Sequence, residues 1–268
     1  MNRQTMRVTD EKYFKAWRRA TGGENISELR KIFVKFVKSK PQATFNYYTE
    51  SAAVYSSRIE GNSLDLSRFI NSQPRKRKFK AKEFAEIENL IAAYTFAKRR
   101  KITEANLLEA HGILSQNLLG KSEQGVYRKS KMAVLGGNRI EYFSPEHTKV
   151  KMLMTELFTD IAALCKTKLE PERAFYHIAL VHLIFVHIHP FGDGNGRGAR
   201  LLEKWFLSQH LGTASWRLPS EAYIWTHREA YYQNLRVLGE EFYELDYDLC
   251  IPFLQMLPAA MKPFTVFN

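Results

Sequence analysis

The fold is decided by the stretch His189-Pro190-Phe191-Gly192-Asp193-Gly194-Asn195-Gly196-Arg197-Gly198-Ala199-Arg200, which follows an almost wholly apolar run over residues 174–188. A glycine-rich turn that leads into a helix presents unpaired backbone N–H groups at the positive end of the helix dipole, which favours phosphate. Gly194, Asn195 and Gly196 fit such a turn, because Asn tolerates the left-handed backbone conformation better than any residue except Gly. The sequence therefore predicts an anion site at a helix start.

Charged and titratable side chains flank that turn. Arg197 and Arg200 share one face of the following helix, and a guanidinium grips phosphate oxygens bidentately. Asp193 would repel a phosphate unless a cation lay between them, and Mg²⁺ prefers such oxygen ligands. His189 carries the side chain best able to take a proton near neutral pH. These residues predict phosphoryl or nucleotidyl chemistry with Mg²⁺. The plainer alternative is a helix–loop–helix corner in which Asp193 pairs with an arginine.

The run also resembles, residue for residue, the signature of the Fic family, His-x-Phe-x-Asp/Glu-Gly-Asn-Gly-Arg-x-x-Arg. The resemblance implies an all-α Fic fold, a helical bundle with one small β-hairpin flap. It also implies an enzyme that transfers AMP from ATP to a Tyr, Thr or Ser hydroxyl of a target protein and releases pyrophosphate. In that reading His189 is the general base, Asp193 binds Mg²⁺ and Phe191 anchors the loop. The nucleotide is held by Gly192, Asp193, Gly194, Asn195, Gly196, Arg197 and Arg200.

An upstream stretch, Ser56-Ser57-Arg58-Ile59-Glu60-Gly61, ends a helix predicted from Thr44, for which Gly61 is a good stop. A carboxylate at a helix C-terminus is electrostatically unfavourable, so we expect Glu60 to have a cationic partner elsewhere. The stretch resembles the Fic inhibitory motif Ser/Thr-x-x-x-Glu-Gly/Asn, in the subclass whose inhibitory helix, here about residues 44–62, precedes the core. The resemblance implies that Glu60 pairs with Arg200 in place of the ATP γ-phosphate, and that Ser56 bonds to the anion-binding loop.

A change of hydrophobic period predicts a β-hairpin, because two short β-prone runs flank Gly136-Gly137-Asn138. The exposed edge of an isolated hairpin can hold an extended segment by added strand pairing. The Fic resemblance implies a target-docking flap here, and a plain surface hairpin is the alternative. The predicted flap residues are Met132, Ala133, Val134, Leu135, Ile140, Glu141, Tyr142 and Phe143. Farther along, Tyr231 and Tyr232 lie in a family-like stretch and are expected to border the adenine.

The remaining helices are predicted over residues 81–97, 102–119, 149–164 and 171–188, the last apolar on nearly all sides and therefore central. On it His177, His182 and His187 are five apart, so they cannot form an i, i+4 zinc pair and are interpreted as packing residues. We expect three regions: residues 1–100 with the inhibitory helix and a basic linker at 75–80, a Fic core at 101–212, and C-terminal helices at 213–268.

Composition limits the class of protein. The chain has 268 residues, of which 45% are hydrophobic, and it lacks a run of 18 apolar residues or a secretion signal, so we expect a globular protein without a membrane anchor. Two cysteines, Cys165 and Cys250, argue against a disulfide framework and favour a reducing cytoplasm.

The net charge of +12 raises nucleic acid as a partner, but no helix-turn-helix, zinc-finger or RNP-like pattern accompanies it, so this is the weaker interpretation. An acidic target protein would explain the charge equally well. Two alternatives to transfer stay open at this point: hydrolysis of an AMP–protein bond with Glu60 as base, and a non-catalytic nucleic-acid-binding module. The sequence also leaves open whether the chain forms a homodimer.

Overall fold

In the computed structural model the chain is described for residues 6–22, 27–39, 41, 43–71, 81–136 and 139–261. Within these residues it is a helical bundle with one two-stranded antiparallel sheet, as predicted. The helices are α1 Phe14–Gly22, α2 Ser27–Lys38, α3 Phe45–Ile59, α4 Leu66–Asn71, α5 Ala81–Lys98, α6 Glu104–Leu114, α7 His147–Cys165, α8 Pro171–Ile188, α9 Asn195–Leu211, α10 Ser220–Thr226, α11 Arg228–Arg236 and α12 Ile251–Ala259. The strands are β1 Ala133–Gly136 and β2 Arg139–Phe143. The basic linker at 75–80 and the turn residues 137 and 138 lie outside the described residues.

Helix α8 lies at the centre of the bundle. Pro171 occupies its first turn, where a missing N–H costs nothing, and every residue from Ala174 to Ile188 except Val186 is buried. Helices α7, α9 and α12 pack around it. Gly198 of α9 lies where a Cβ would be 3.4 Å from the Phe185 ring, so the small residue lets α8 and α9 approach closely. The two helices that flank the glycine-rich turn are therefore held against each other.

The predicted helix bounds agree with the structure except for the helix predicted over residues 102–119. The Thr103 hydroxyl accepts the Asn106 N–H at 3.1 Å and caps α6, but α6 ends at Leu114. The predicted helix over 102–119 was therefore too long. Its apolar period continues through Leu118 and Leu119, whereas the backbone turns at Asn117, which has a φ of 66°.

The hairpin forms where the sequence predicts it, with Val134 opposite Tyr142 and Leu135 opposite Ile140. This register leaves Glu141 as an extra residue in β2, a bulge of the kind that re-aims a side chain. Met132, predicted as part of the flap, precedes β1, and its carbonyl accepts the Ser144 hydroxyl at 2.7 Å. The hairpin is not isolated, because the Phe143 N–H donates to the Glu240 carbonyl at 2.7 Å.

The buried apolar side chains form one cluster that includes residues from Met6 to Met261. Among the described residues, each helix is too short or too polar to cross a bilayer.

Candidate active site

The proposed base, His189, stands immediately after α8 in a left-handed conformation, with a φ of 50°. This conformation is uncommon for a residue other than Gly and is found where the surroundings enforce it. The imidazole Nδ1 lies 3.3 Å from the Val186 carbonyl oxygen, so we infer that Nδ1 carries the proton and that Nε2 is the acceptor. Burial lowers the pKa of His189 to about 4, which leaves the ring neutral at physiological pH.

The glycine-rich turn differs from the prediction at Asn195. Gly194 is left-handed, with a φ of 81°, and a Cβ there would be 2.9 Å from Leu114 Cδ1. Asn195 is instead the first residue of α9. Its amide accepts the Phe191 N–H and donates to the Phe191 carbonyl, each at 2.9 Å. The expectation of a left-handed Asn195 was wrong, because these two hydrogen bonds hold it at the helix start, where it closes the loop.

Phe191 anchors that loop in the core, fully buried and stacked on His111 with ring centroids 3.5 Å apart. His111 Nε2 lies 2.9 Å from the Asp193 carbonyl oxygen, and its Nδ1 accepts the Gly125 N–H at 3.1 Å. Burial lowers the pKa of His111 to about 4, so the neutral ring is a donor at one nitrogen and an acceptor at the other. His111 thus supports the turn, although it lies 82 positions before Asp193 and no motif marks it.

Asp193 and Arg197 are in contact but differ in exposure, since Arg197 is buried. The Asp193 side chain is 52% exposed, and its Oδ1 accepts the Gly194 N–H at 2.5 Å and lies 3.4 Å from Arg197 Nη1. Arg197 also meets Glu86 of α5, with Nη2 2.8 Å from Oε1. The plainer alternative, in which Asp193 pairs with an arginine, therefore holds in part, since Asp193 contacts Arg197. Sequence reasoning missed Glu86, which holds Arg197 from a distant helix.

The carboxylate of Asp193 fits a Mg²⁺ ion that is also bound by substrate phosphates. In the described part of the chain, no three His, Cys, Asp or Glu side chains are grouped to hold a metal. Mg²⁺, however, usually takes one or two carboxylates and completes its shell with water and substrate phosphates. The partly exposed carboxylate of Asp193, beside the start of α9, can serve as that single protein ligand.

Glu60 and Ser56 of the upstream stretch converge on Arg200. The fully buried Arg200 donates from Nη2 to Glu60 Oε1 at 2.7 Å, and from Nε to the Ser56 hydroxyl at 2.8 Å. Ser56 therefore bonds to α9, whereas the resemblance implied a bond to the loop. Burial alone would raise the pKa of Glu60, but the positive charges of Arg200 and Arg197 outweigh it, so the pKa is lowered and the carboxylate is ionised.

Glu60 also rests against the first turn of α9. A Cβ on Gly196 would collide with Glu60 Oε1, so only glycine fits while the ion pair is formed. Glu60 directly follows α3, and the next residue, Gly61, has a φ of 100° that suits glycine.

A cavity of about 470 Å³ lies beside His189 and the first residues of α9. Predicted site residues that line it are Glu60, Val134, Leu135, Glu141, Tyr142, His189, Asn195, Gly196, Tyr231 and Tyr232. The predicted nucleotide-binding residues outside that lining are Gly192, Asp193, Gly194, Arg197 and Arg200, and Arg200 bonds to Glu60, which lines the cavity. Helix α11, from which Tyr231 and Tyr232 were predicted, also adds Arg228, Leu235 and Arg236, which were not predicted as site residues.

The two tyrosines are fixed differently. Tyr231 Oη lies 3.0 Å from His182 Nε2, and His182 Nδ1 lies 2.7 Å from Glu203 Oε1. Tyr232 Oη donates to the Ile59 carbonyl at 3.3 Å. His182, predicted as a packing residue, is buried but also hydrogen-bonded, and through Tyr231 it stiffens the cavity wall.

The profile of the Fic/DOC family matches residues 101–207, which include the hairpin, α8 and the glycine-rich turn. The chain contains a Fic domain. Its similarity extends to "Protein adenylyltransferase Fic" of Culex quinquefasciatus, at 30% identity over 194 residues, which is 68% of this chain and 35% of the relative. The chain thus spans about a third of the length of the curated relatives it matches.

Solved structures show the same fold. A Fic family protein from Desulfovibrio desulfuricans G20 superposes with a TM-score of 0.69 at 24% identity, over 89% of this chain and 70% of that one. Fic-1 (residues 134–508) of C. elegans superposes with a TM-score of 0.63 at 20% identity, over 94% and 72%. The predicted Fic fold with its hairpin is therefore confirmed.

Proposed function

We propose that the protein is a self-inhibited protein adenylyltransferase, which transfers AMP from ATP to a Tyr, Thr or Ser hydroxyl of a target protein and of itself. The observation that carries the proposal is the neutral His189, which faces a cavity bounded by the start of α9 on one side and the hairpin on the other. The adenylyltransferase name of the relatives supports it.

His189 acts as the base in this reaction. Its Nε2 accepts the proton of the target hydroxyl while that oxygen attacks the α-phosphorus of ATP. The bond from the α-phosphorus to the bridging oxygen breaks, and pyrophosphate leaves. The first N–H groups of α9 have no partner within the helix, so Asn195 and Gly196 can stabilise the charge that develops on the phosphates. When bound at Asp193, Mg²⁺ would neutralise part of the phosphate charge.

The hairpin presents the target. Leu135 is 69% exposed at the rim, while Val134 and Tyr142 line the cavity next to His189. Among the described residues β1 pairs only with β2, so its outer edge is available to an extended target segment. A segment paired there would carry its hydroxyl over the cavity.

Glu60 supplies the inhibition. Its carboxylate binds Arg200, a residue needed for the terminal phosphate, and fills the space beside Gly196. ATP can then bind in the competent pose only after Glu60 leaves. The same ion pair does not favour the hydrolytic alternative, because a base for water must be free of Arg200.

Incubation with α-labelled ATP, Mg²⁺ and a cell lysate tests the proposal, with Glu60→Gly as the active form and Glu60→Gly/His189→Ala as its matched control. We expect label on the protein itself and on a target in the single variant, and none in the double variant, because a methyl group cannot accept a proton. ATP binding should persist in the double variant. Equal labelling by both variants would contradict the assignment of the base.

A further inference from the structure

The hairpin caps the helix that carries the base. The last carbonyls of a helix have no partner within it and need one elsewhere. Here the Tyr142 hydroxyl donates to the His187 carbonyl at 2.7 Å, and Arg128 donates from Nε to the His189 carbonyl at 2.8 Å. Arg128 Nη2 also lies 3.4 Å from the Ile188 carbonyl oxygen. Three successive carbonyls at the end of α8 are thus held by β2 and by the segment that precedes β1.

Arg128 also joins the two ends of the hairpin. Its Nη1 donates to the Ser130 carbonyl before β1 at 2.8 Å, and its Nη2 donates to the Pro145 carbonyl after β2 at 2.6 Å. Its own backbone N–H donates to the Pro190 carbonyl at 2.9 Å. One guanidinium therefore bonds both stems of the hairpin and the backbone of the base.

The environment of Arg128 is unusual for a buried cation. The residue is 6% exposed, and its side-chain hydrogen bonds within the described chain all go to backbone carbonyls. Burial lowers the pKa of Arg128, and the nearby Tyr142 and Glu146 offset part of that effect. The five-donor fork of arginine is the side chain that can reach four carbonyl acceptors in fixed directions. These bonds to the carbonyls of three chain segments indicate a positional role.

We propose that Arg128 is a positioning residue that couples the hairpin to His189, so that a target segment on β1 and the Nε2 of the base keep one fixed relation. This role rests on the proposed function. Arg128 holds the left-handed backbone of His189 through its carbonyl, and it holds the stems of the hairpin at the same time. A lysine offers one point of attachment and cannot span these acceptors.

The test compares Arg128→Lys and Arg128→Met in the Glu60→Gly background with the control Lys131→Met, which removes a cation from the same segment. The Lys131 side chain is 82% exposed and meets Glu146 at 3.3 Å. A misplaced base lowers kcat by about 100-fold. The KM for ATP should change by less than about threefold, because the start of α9, where ATP is proposed to bind, is not part of the hairpin. We expect this split between kcat and the KM for ATP in both Arg128 variants, and unchanged constants in the control.

Two further measurements do not depend on activity. Hydrogen exchange should become faster at the hairpin amides of residues 133–136 and 139–143 while α8 stays protected. An NMR titration should show a higher pKa for His189 in Arg128→Met than in Arg128→Lys, since burial lowers that pKa in both variants and the positive charge at position 128, which lowers it further, is lost only in Arg128→Met. Glu60 is absent from both variants, and Asp193, whose charge raises the pKa of His189, is present in both.

The outcomes separate the inference from the proposed function. A parent that transfers no AMP would refute the function, while hydrogen exchange and the titration would still decide the coupling. Unchanged hairpin exchange in Arg128→Lys would overturn the inference. Loss of protection across α8 as well, or a variant that does not fold, would also overturn it, because Arg128 would then be a general structural residue.

Discussion

Replacement of Glu60 by glycine should release the site. In the structure Glu60 contributes one charge-assisted hydrogen bond to Arg200, while the two bonds from Arg200 to Ser56 remain in the variant. Such a bond contributes about 1.5–3 kcal/mol. Because each 1.4 kcal/mol is a factor of ten, its loss should raise the competent population, and with it AMP transfer, by about 10–150-fold.

The assay is the initial rate of self-modification with α-labelled ATP, measured side by side for wild type, Glu60→Gly and Glu60→Gln. The glutamine variant keeps the shape of the side chain and loses its charge, so its rate should lie between the other two. If Glu60→Gly is no faster than wild type, the stretch from Ser56 to Gly61 is only a helix end. A glutamine variant as fast as the glycine variant would show that charge alone, and not the filled space beside Gly196, inhibits the enzyme.

Three other outcomes are expected. Asp193→Ala and EDTA should each stop transfer, because the carboxylate can face a phosphate only through a cation; full activity in EDTA would refute that role. The kcat/KM for the target should stay level down to about pH 5 and fall as the pH drops through about 4, because protonated His189 cannot accept a proton. A pH profile with its midpoint near 6.5, the ordinary pKa of histidine, would contradict the effect of burial on His189. Gly196→Ala should lower the free energy of unfolding by about 1–3 kcal/mol in wild type and by less in Glu60→Gly, because the new Cβ meets Glu60 Oε1. Equal losses of unfolding free energy in the two backgrounds, measured by urea titration, would contradict this contact.

The features that were predicted correctly from the sequence are those set by local rules for helix ends, helix caps and burial. Helix α8 begins at Pro171 and ends at Ile188 as predicted, because proline suits a first turn and a long apolar run must be buried. The Thr103 cap of α6 follows from the preference of a hydroxyl for an unpaired helix N–H. The expectation that Glu60 needs a distant cation came from the same kind of argument, since a carboxylate is unfavourable at a helix C-terminus.

The supports of the site were not visible in the sequence. Arg128 and His111 bind backbone carbonyls that lie 61 and 82 positions away, and every residue has a carbonyl, so no side-chain pattern marks such a partner. Asn195 was misjudged because its tolerance of the left-handed conformation said nothing about the Phe191 backbone, whose two hydrogen bonds decide its place. Helix α6 was extended too far because a hydrophobic period cannot show where the backbone turns.

Helix α3 is packed in the core, whereas the carboxylate of Glu60 lies just beyond its C-terminal end. Ala52, Ala53 and Val54 are at most 5% exposed, and the helix packs on α5 and α10. Glu60 stands past the last turn, followed by Gly61, around which the space is open. Side-chain rotation takes picoseconds to nanoseconds when exposed, whereas displacement of a packed helix takes microseconds or longer. We therefore expect rotation of the Glu60 side chain, which is 28% exposed, to free Arg200 while α3 keeps its packing, and a ligand that favours transfer would then stabilise the rotated side chain.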